Sequence, residues 1–240
     1  MNLVTPAAES LEDRVAGLRR LYGALSGEAL LRSMIKTTFP GEIVLVSSFG
    51  AESAALLHMV ARIDPATPIV FLDTLKLFPE TLAYRDALAK RLKLSDVRSF
   101  TPDPEEVAHH DPNGDLWRRD ANLCCLLRKK WPLDGALAGF SAWINGRKRF
   151  HGGGRNALPT IEGEKASGRI KINPLALWSR DDVLRYLDSY DLPFHPLVGA
   201  GYSSIGCVPC TRPAKQGEAV RAGRWSWLER SECGIHGEGI

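Results

Sequence analysis

The chain has 240 residues, 44% of them hydrophobic, enough to bury a substantial core in one α/β domain with an appended segment. Its 31 basic and 28 acidic side chains leave a net charge of +3, too small a surplus to argue for a nucleic-acid or anionic-membrane partner, so basic residues matter only where they cluster. The first residues mix acids with bases and lack the apolar core and small-residue cleavage site of a secretory signal, and no run of about eighteen apolar residues occurs. We therefore expect a cytoplasmic protein with no membrane span, in which five cysteines serve as ligands or nucleophiles rather than as disulfides. The odd count gives one of them a separate task.

In chain order, Ser10 and Asp13 have capping-box spacing, and Leu11, Val15, Leu18 and Tyr22 describe an amphipathic helix packed on the body. Residues 43–49 form an apolar, β-branched run that predicts a buried parallel strand, followed by a helix through AESAALLHMVARI. A second strand is expected over 68–73, a helix from Pro79, a third strand over 96–102 and a fourth over 140–146. GRIKINP reads as a shorter strand, and Ser179 with Asp182 caps a helix through DDVLRYLDSY. This alternation predicts a doubly wound, mostly parallel α/β sheet whose ligands lie at the carboxyl ends of the strands. From Leu192 onward Gly, Pro and Ser predominate, favouring loops around a site, and the last residues form a glycine-rich, mobile tail. The expected division is an accessory helical segment 1–40, a main domain 41–218 and a mobile C-terminal tail 219–240.

Cys124 and Cys125 are adjacent, and Cys207 and Cys210 form a C-x-x-C in a Gly- and Pro-rich loop. Two such pairs can complete a four-thiolate shell around zinc or a 4Fe-4S cluster. Spacing does not choose between them. Adjacent cysteines are unusual in zinc ribbons, which favours the cluster, while Cys124 and Cys125 as small core residues are the bland alternative. Cys233, in Glu-Cys-Gly-Ile-His, stands apart; a tail thiolate flanked by glycine could attack a substrate and then meet a reducing protein.

Ser47, Ser48, Gly50, Glu52 and Ser53 lie between the first strand and its helix, where backbone N–H groups and small hydroxyls suit phosphate or sulfate oxygens. The Lys-Ser/Thr ending of a Walker loop is absent. Basic residues gather at Arg128-Lys129-Lys130, at 147–149, at Arg155, and at Arg221 with Arg224, where guanidinium forks could grip an anionic nucleotide. Lys130 and at least one residue of the 147–149 run read as solvated charge, and Trp225 and Trp227 as packing for the tail.

Together these motifs resemble the bacterial assimilatory adenylyl-sulfate reductases, within the phosphoadenylyl-sulfate reductase family. The resemblance runs from about Ile43 to His236 and rests on SSFGAES, FLDTLKLFPET, Cys124-Cys125-x-x-Arg128-Lys129, the Cys207-Val-Pro-Cys210 loop and the terminal Glu-Cys-Gly-Ile-His. It implies an adenine-nucleotide alpha-hydrolase-like fold, a 4Fe-4S cluster on Cys124, Cys125, Cys207 and Cys210, and Cys233 as nucleophile. It further implies that Lys129, Arg155, Arg221 and Arg224 contact the sulfate and phosphate of adenylyl sulfate, that the SSFGAES loop lies by the nucleotide, and that His236 belongs to the substrate site. Thioredoxin or glutaredoxin is the implied thiol donor. Activity on the 3′-phosphorylated substrate and a homo-oligomeric state are both compatible with the sequence. Two departures stand out: Leu75 replaces an expected glycine, although leucine resists positive φ, and Ser226 interrupts a run of tryptophans.

Two rivals fit less well. An ATP pyrophosphatase that modifies tRNA would carry Ser-Gly-Gly-x-Asp-Ser, which Phe49 and Glu52 break, and would give the terminal ECGIH no role. A cluster-based regulator would need a basic DNA-recognition helix, and none stands out.

Overall fold

The structure is a computed structural model, and it describes residues 9–228 together with Glu232 and Ile235. Cys233, His236 and the expected mobility of the tail lie outside the described residues.

Helix α1 (Leu11–Tyr22) starts at Ser10, whose hydroxyl accepts the Asp13 N–H at 3.1 Å, so the predicted cap forms. Val15 is buried and Leu11, Leu18 and Tyr22 lean on the core. In α2 (Gly27–Ser33), Leu30 and Leu31 are wholly buried, and a π-helical turn over Met34–Thr38 leads into the sheet.

The sheet and its helices follow as β1 (Ile43–Val46), α3 (Ser53–Ile63), β2 (Ile69–Leu72), α4 (Pro79–Arg91), β3 (Val97–Phe100), α5 (Pro104–His110), α6 (Leu116–Arg119), α7 (Ala121–Cys125), α8 (Trp131–Ala136), β4 (Ala142–Ile144), β5 (Ile161–Glu164), β6 (Arg169–Ile172) and α9 (Arg180–Ser189). The strands lie in the order β3-β2-β1-β4-β6-β5, all pairs parallel except β5 with β6. Successive β1 side chains alternate faces. Ile43 and Leu45 join the principal core with α3 and α9, while Val44 packs with Val70, Trp143 and Leu133 on the other side.

The antiparallel β5 was not among the expected strands. Its sequence, Ile-Glu-Gly-Glu, holds a single buried apolar residue, and it is placed by a turn in which Gly168, at φ +70°, donates its N–H to the Glu164 carbonyl at 2.8 Å. Gly163 also lets α1 approach, because a Cβ there would stand 2.9 Å from Leu11 Cγ.

The chain steps outward from β1 through β2 to β3, then crosses back to β4 on the other flank of β1. Loops leaving the carboxyl ends of β1 and β4 therefore diverge, and a crevice opens between them. No helix among the described residues is long and apolar enough to cross a membrane.

Candidate active site

A pocket of about 230 Å³ occupies this crevice. Ser47, Ser48, Gly50, Glu52 and Ser53 line it from the β1–α3 loop. The loop leaves the sheet at Ser47, whose hydroxyl accepts the Phe49 N–H at 3.2 Å, and Ser53 donates to the Gly50 carbonyl at 2.9 Å. Phe49 is held at φ +46° by burial of its ring edge-on against Phe71, with centroids 5.5 Å apart. A bulky residue in this conformation is costly and is sustained by the surrounding core. The result aims the backbone at the start of α3 into the pocket, a geometry suited to an anion.

The lining carries six cations, Lys129, Arg147, Lys148, Arg155, Arg221 and Arg224, against one carboxylate, Glu52. Burial alone would raise the Glu52 pKa, but hydrogen bonding from His151 and the charge of Lys148, 2.9 Å away, bring it down to about 2. His151 is itself lowered by burial and links Glu52 at 3.3 Å to Arg155 at 3.1 Å. In the 147–149 run Arg149 is the exposed residue. Arg147 pairs with Glu162 on β5, and burial presses its pKa down to about 10. Lys130 pairs with Asp134 at the surface.

Arg221 and Arg224 come from the irregular C-terminal stretch. Their guanidinium carbons lie 5.3 and 4.4 Å from the centre of the buried Trp225 ring. Arg224 also passes tightly over Gly206, where a Cβ would collide with its guanidinium group. Nine of the ten expected substrate residues thus share one pocket, and His236 lies outside the described residues.

A second cavity, of about 20 Å³, is lined by Cys124, Cys125, Cys207 and Cys210 with Arg128, Lys129 and Trp225. The adjacent cysteines end α7, and the helix then widens into a π turn over Leu126–Lys130 before α8. Pro132, at the start of α8, has no N–H to give to the preceding turn, and the Trp131 N–H reaches back five residues to the Leu126 carbonyl. On the other side the C-x-x-C loop is stitched to the β2–α4 loop by Val208 N–H to the Lys76 carbonyl at 2.8 Å. Trp225 N–H donates to the Cys210 carbonyl at 3.1 Å. Leu75, in that loop, adopts φ +57° with its side chain exposed, so the glycine-like conformation is kept at the expense of strain.

Among the described residues no three of His, Cys, Asp or Glu are grouped closely enough to ligate a metal as they stand. The donor set nevertheless suits a soft metal centre. All four cysteines line one small space, and burial, with Cys207 and Cys210 nearby, pushes the Cys124 thiol up to about 11. Thiolates there need a cation to compensate them. The Thr74 hydroxyl stands 3.2 Å from Cys207 Sγ.

Sequence reasoning missed several of these residues. His151 carries no motif of its own, Thr74 and Lys148 lie within FLDTLKLFPET and the 147–149 run without being singled out there, and Trp225, expected to pack the tail, lines both cavities. Arg128, grouped with the nucleotide-gripping cations, lines the cysteine cavity, where it pairs with the fully buried Asp111 carboxylate at 2.7 Å and donates to the Thr74 carbonyl. Its charge is therefore committed inside the protein. Only the adjacency of Arg128 to Lys129 could have hinted that one helical turn serves two cavities.

Fold and site together define an α/β enzyme of the adenine-nucleotide alpha-hydrolase-like type with an anion pocket beside a four-cysteine cavity. Residues 42–213 match the phosphoadenosine phosphosulfate reductase domain, and the chain belongs to that family. An adenosine 5'-phosphosulfate reductase of Mesorhizobium japonicum is 45% identical over 234 residues, 98% of this chain and 91% of the relative. One from Mycolicibacterium smegmatis is 36% identical, covering 97% and 99%. The crystal structure of phosphoadenylyl-sulfate reductase from Candida auris, a phosphate complex, superposes with a TM-score of 0.71 at 28% identity, covering 88% of this chain and all of that one. Yeast FAD synthetase shares the fold at a TM-score of 0.52 and 17% identity. The protein is an oxidoreductase of sulfate reduction.

Proposed function

We propose that the protein reduces adenylyl sulfate to sulfite and AMP in the cytoplasm, with thioredoxin or glutaredoxin as thiol donor. The observation that carries this reading is the wall of Lys129, Cys207 and Trp225, which separates the cation-lined pocket from the cysteine cavity and belongs to both. The relatives named as adenosine 5'-phosphosulfate reductases support the choice of substrate.

The Cys233 thiolate attacks the sulfate sulfur, the S–O bond to the phosphate breaks, AMP leaves with that oxygen, and S-sulfocysteine remains. Lys129, Arg221 and Arg224 offset charge on the sulfate and phosphate oxygens, and the SSFGAES loop receives the nucleotide. A donor thiolate then attacks Cys233 Sγ, releasing sulfite with the S–S bond electrons and leaving a mixed disulfide. The donor's second thiolate attacks the donor sulfur of that disulfide, Cys233 leaves as thiolate, and the donor ends as a disulfide, having given up the two electrons that left with sulfite. Cys124, Cys125, Cys207 and Cys210 would hold a 4Fe-4S cluster, whose contribution would be to fix the loops and set the electrostatic field at Lys129. Residues 1–40 serve as an accessory segment, 41–218 as the catalytic body and 219–240 as the tail that delivers Cys233.

The test is mass spectrometry of the iron-loaded protein mixed with adenylyl sulfate, with the 3′-phosphorylated compound run beside it. A sulfonate is expected on the Cys233 peptide, and Cys233→Ser should keep nucleotide binding while sulfite release disappears. A wild-type protein that turns over without ever carrying that group would refute the intermediate.

A further inference from the structure

Two described tail residues reach the pocket: Glu232 pairs with two of the arginines that line it, and Ile235 lines it directly. The Glu232 carboxylate forks onto Arg155, one oxygen accepting from Nη2 at 2.7 Å and the other from Nε. Arg221 Nη2 stands 3.9 Å from the same carboxylate. Burial would raise the pKa of this group, yet hydrogen bonding and charge from Arg155, Arg221 and Arg147 hold it below the usual carboxylate range. Ile235 lines the pocket, as do Val46, Leu72 and Trp143, and packs against the buried cluster that contains Val44, Val70 and Trp143.

A carboxylate engages a guanidinium fork in the same bidentate way as a phosphate or sulfate. Arg155 has three donors engaged in this arrangement, Nε and Nη2 by Glu232 and Nη1 by His151. An incoming phosphoryl or sulfuryl group cannot use the same fork until Glu232 leaves it. An apolar ring likewise meets Ile235 where it would rest on the Val46, Leu72 and Trp143 side of the pocket.

We infer that Glu232 and Ile235 occupy the nucleotide's own place, the carboxylate standing in for an anionic group and the isoleucine for the base, so that substrate binding must displace the tail. Glu232 is then a positioning residue, acting through Arg155. It holds the segment bearing the nucleophile at the pocket between turnovers and exchanges places with the substrate's anion. The inference rests on the nucleotide reading of the pocket.

The experiment is calorimetric titration of AMP into the full-length, iron-loaded protein and into its Glu232→Gln and Ile235→Ala variants, with steady-state kinetics on adenylyl sulfate alongside. Competition by the tail weakens the apparent affinity of the wild type, as any bound competitor reduces the binding-competent fraction. Glu232→Gln should therefore bind AMP about tenfold more tightly and Ile235→Ala about threefold. For Glu232→Gln, KM and kcat should fall together, because substrate enters more easily while the tail is less well held. A residue with a merely structural role would weaken AMP binding or leave it unchanged, and either result for Glu232→Gln overturns the inference. Failure of wild type and both variants alike to bind AMP would instead remove the nucleotide reading, and the inference with it.

Discussion

The two halves of the active-site wall solve the problem of buried charge differently. On the strand-end side, Glu52, Lys148, His151 and Arg155 form a connected set in which each buried cation has a protein anion or acceptor within hydrogen-bonding reach. On the loop side, Arg128 is committed to Asp111, four cysteines line one small cavity, and burial with Cys207 and Cys210 nearby pushes the Cys124 thiol up. The first half is complete as folded. The second is a set of soft donors of the kind that would hold a metal, two from the end of a helix and two from a loop held by a few hydrogen bonds instead of a sheet.

This contrast can be broken at each side. On the strand-end side, Glu52 has a folded pKa of about 2 against a reference of 4.5. A carboxylate depressed in the folded state stabilises above its unfolded pKa and loses that contribution as pH falls through the folded value. Glu52→Gln should cost on the order of 3 kcal/mol at pH 7, a difference that stays level down to about pH 4.5 and shrinks below it. Denaturant melts of both proteins across that range check this, and a difference that does not change below pH 4 would show that Glu52 is not ionised by its neighbours. On the loop side the effect is smaller and kinetic. Gly206→Ala pushes a methyl group into Arg224, which is the end of a flexible side chain and can swing away. KM for adenylyl sulfate should rise about tenfold, or about 1.4 kcal/mol of binding, with the melting temperature unchanged. An unchanged KM would place Arg224 outside substrate binding.

The regular part of the molecule was legible because its signals are local. The runs at 43–49, 68–73, 96–102 and 140–146 each contain the strand they predict, and Pro79, Ser10 and Ser179 start the helices they announce. The runs overshoot where a loop begins: Ser47 turns away to accept the Phe49 N–H, so β1 stops at Val46. Strand β5 was illegible because its pairing partner and a glycine turn, rather than its own side chains, hold it in place. The cysteine pairs were legible as pairs, but the π turn that separates Arg128 from Lys129 in function follows from a hydrogen-bond pattern that no side-chain periodicity encodes. Leu75 shows the opposite case. The sequence raised doubt about its backbone, and the backbone takes the left-handed conformation regardless, with an Asp73 carboxylate oxygen accepting the Leu75 N–H at 3.0 Å.

The central claim is that the anion pocket and the cysteine cavity are one device joined at Lys129. The visible absorption of the iron-loaded protein, recorded before and after adenylyl sulfate is added, tests it most directly. The account predicts a change in the iron bands on binding that disappears in Lys129→Ala at saturating nucleotide. Bands that stay unmoved in the wild type with nucleotide bound would contradict it.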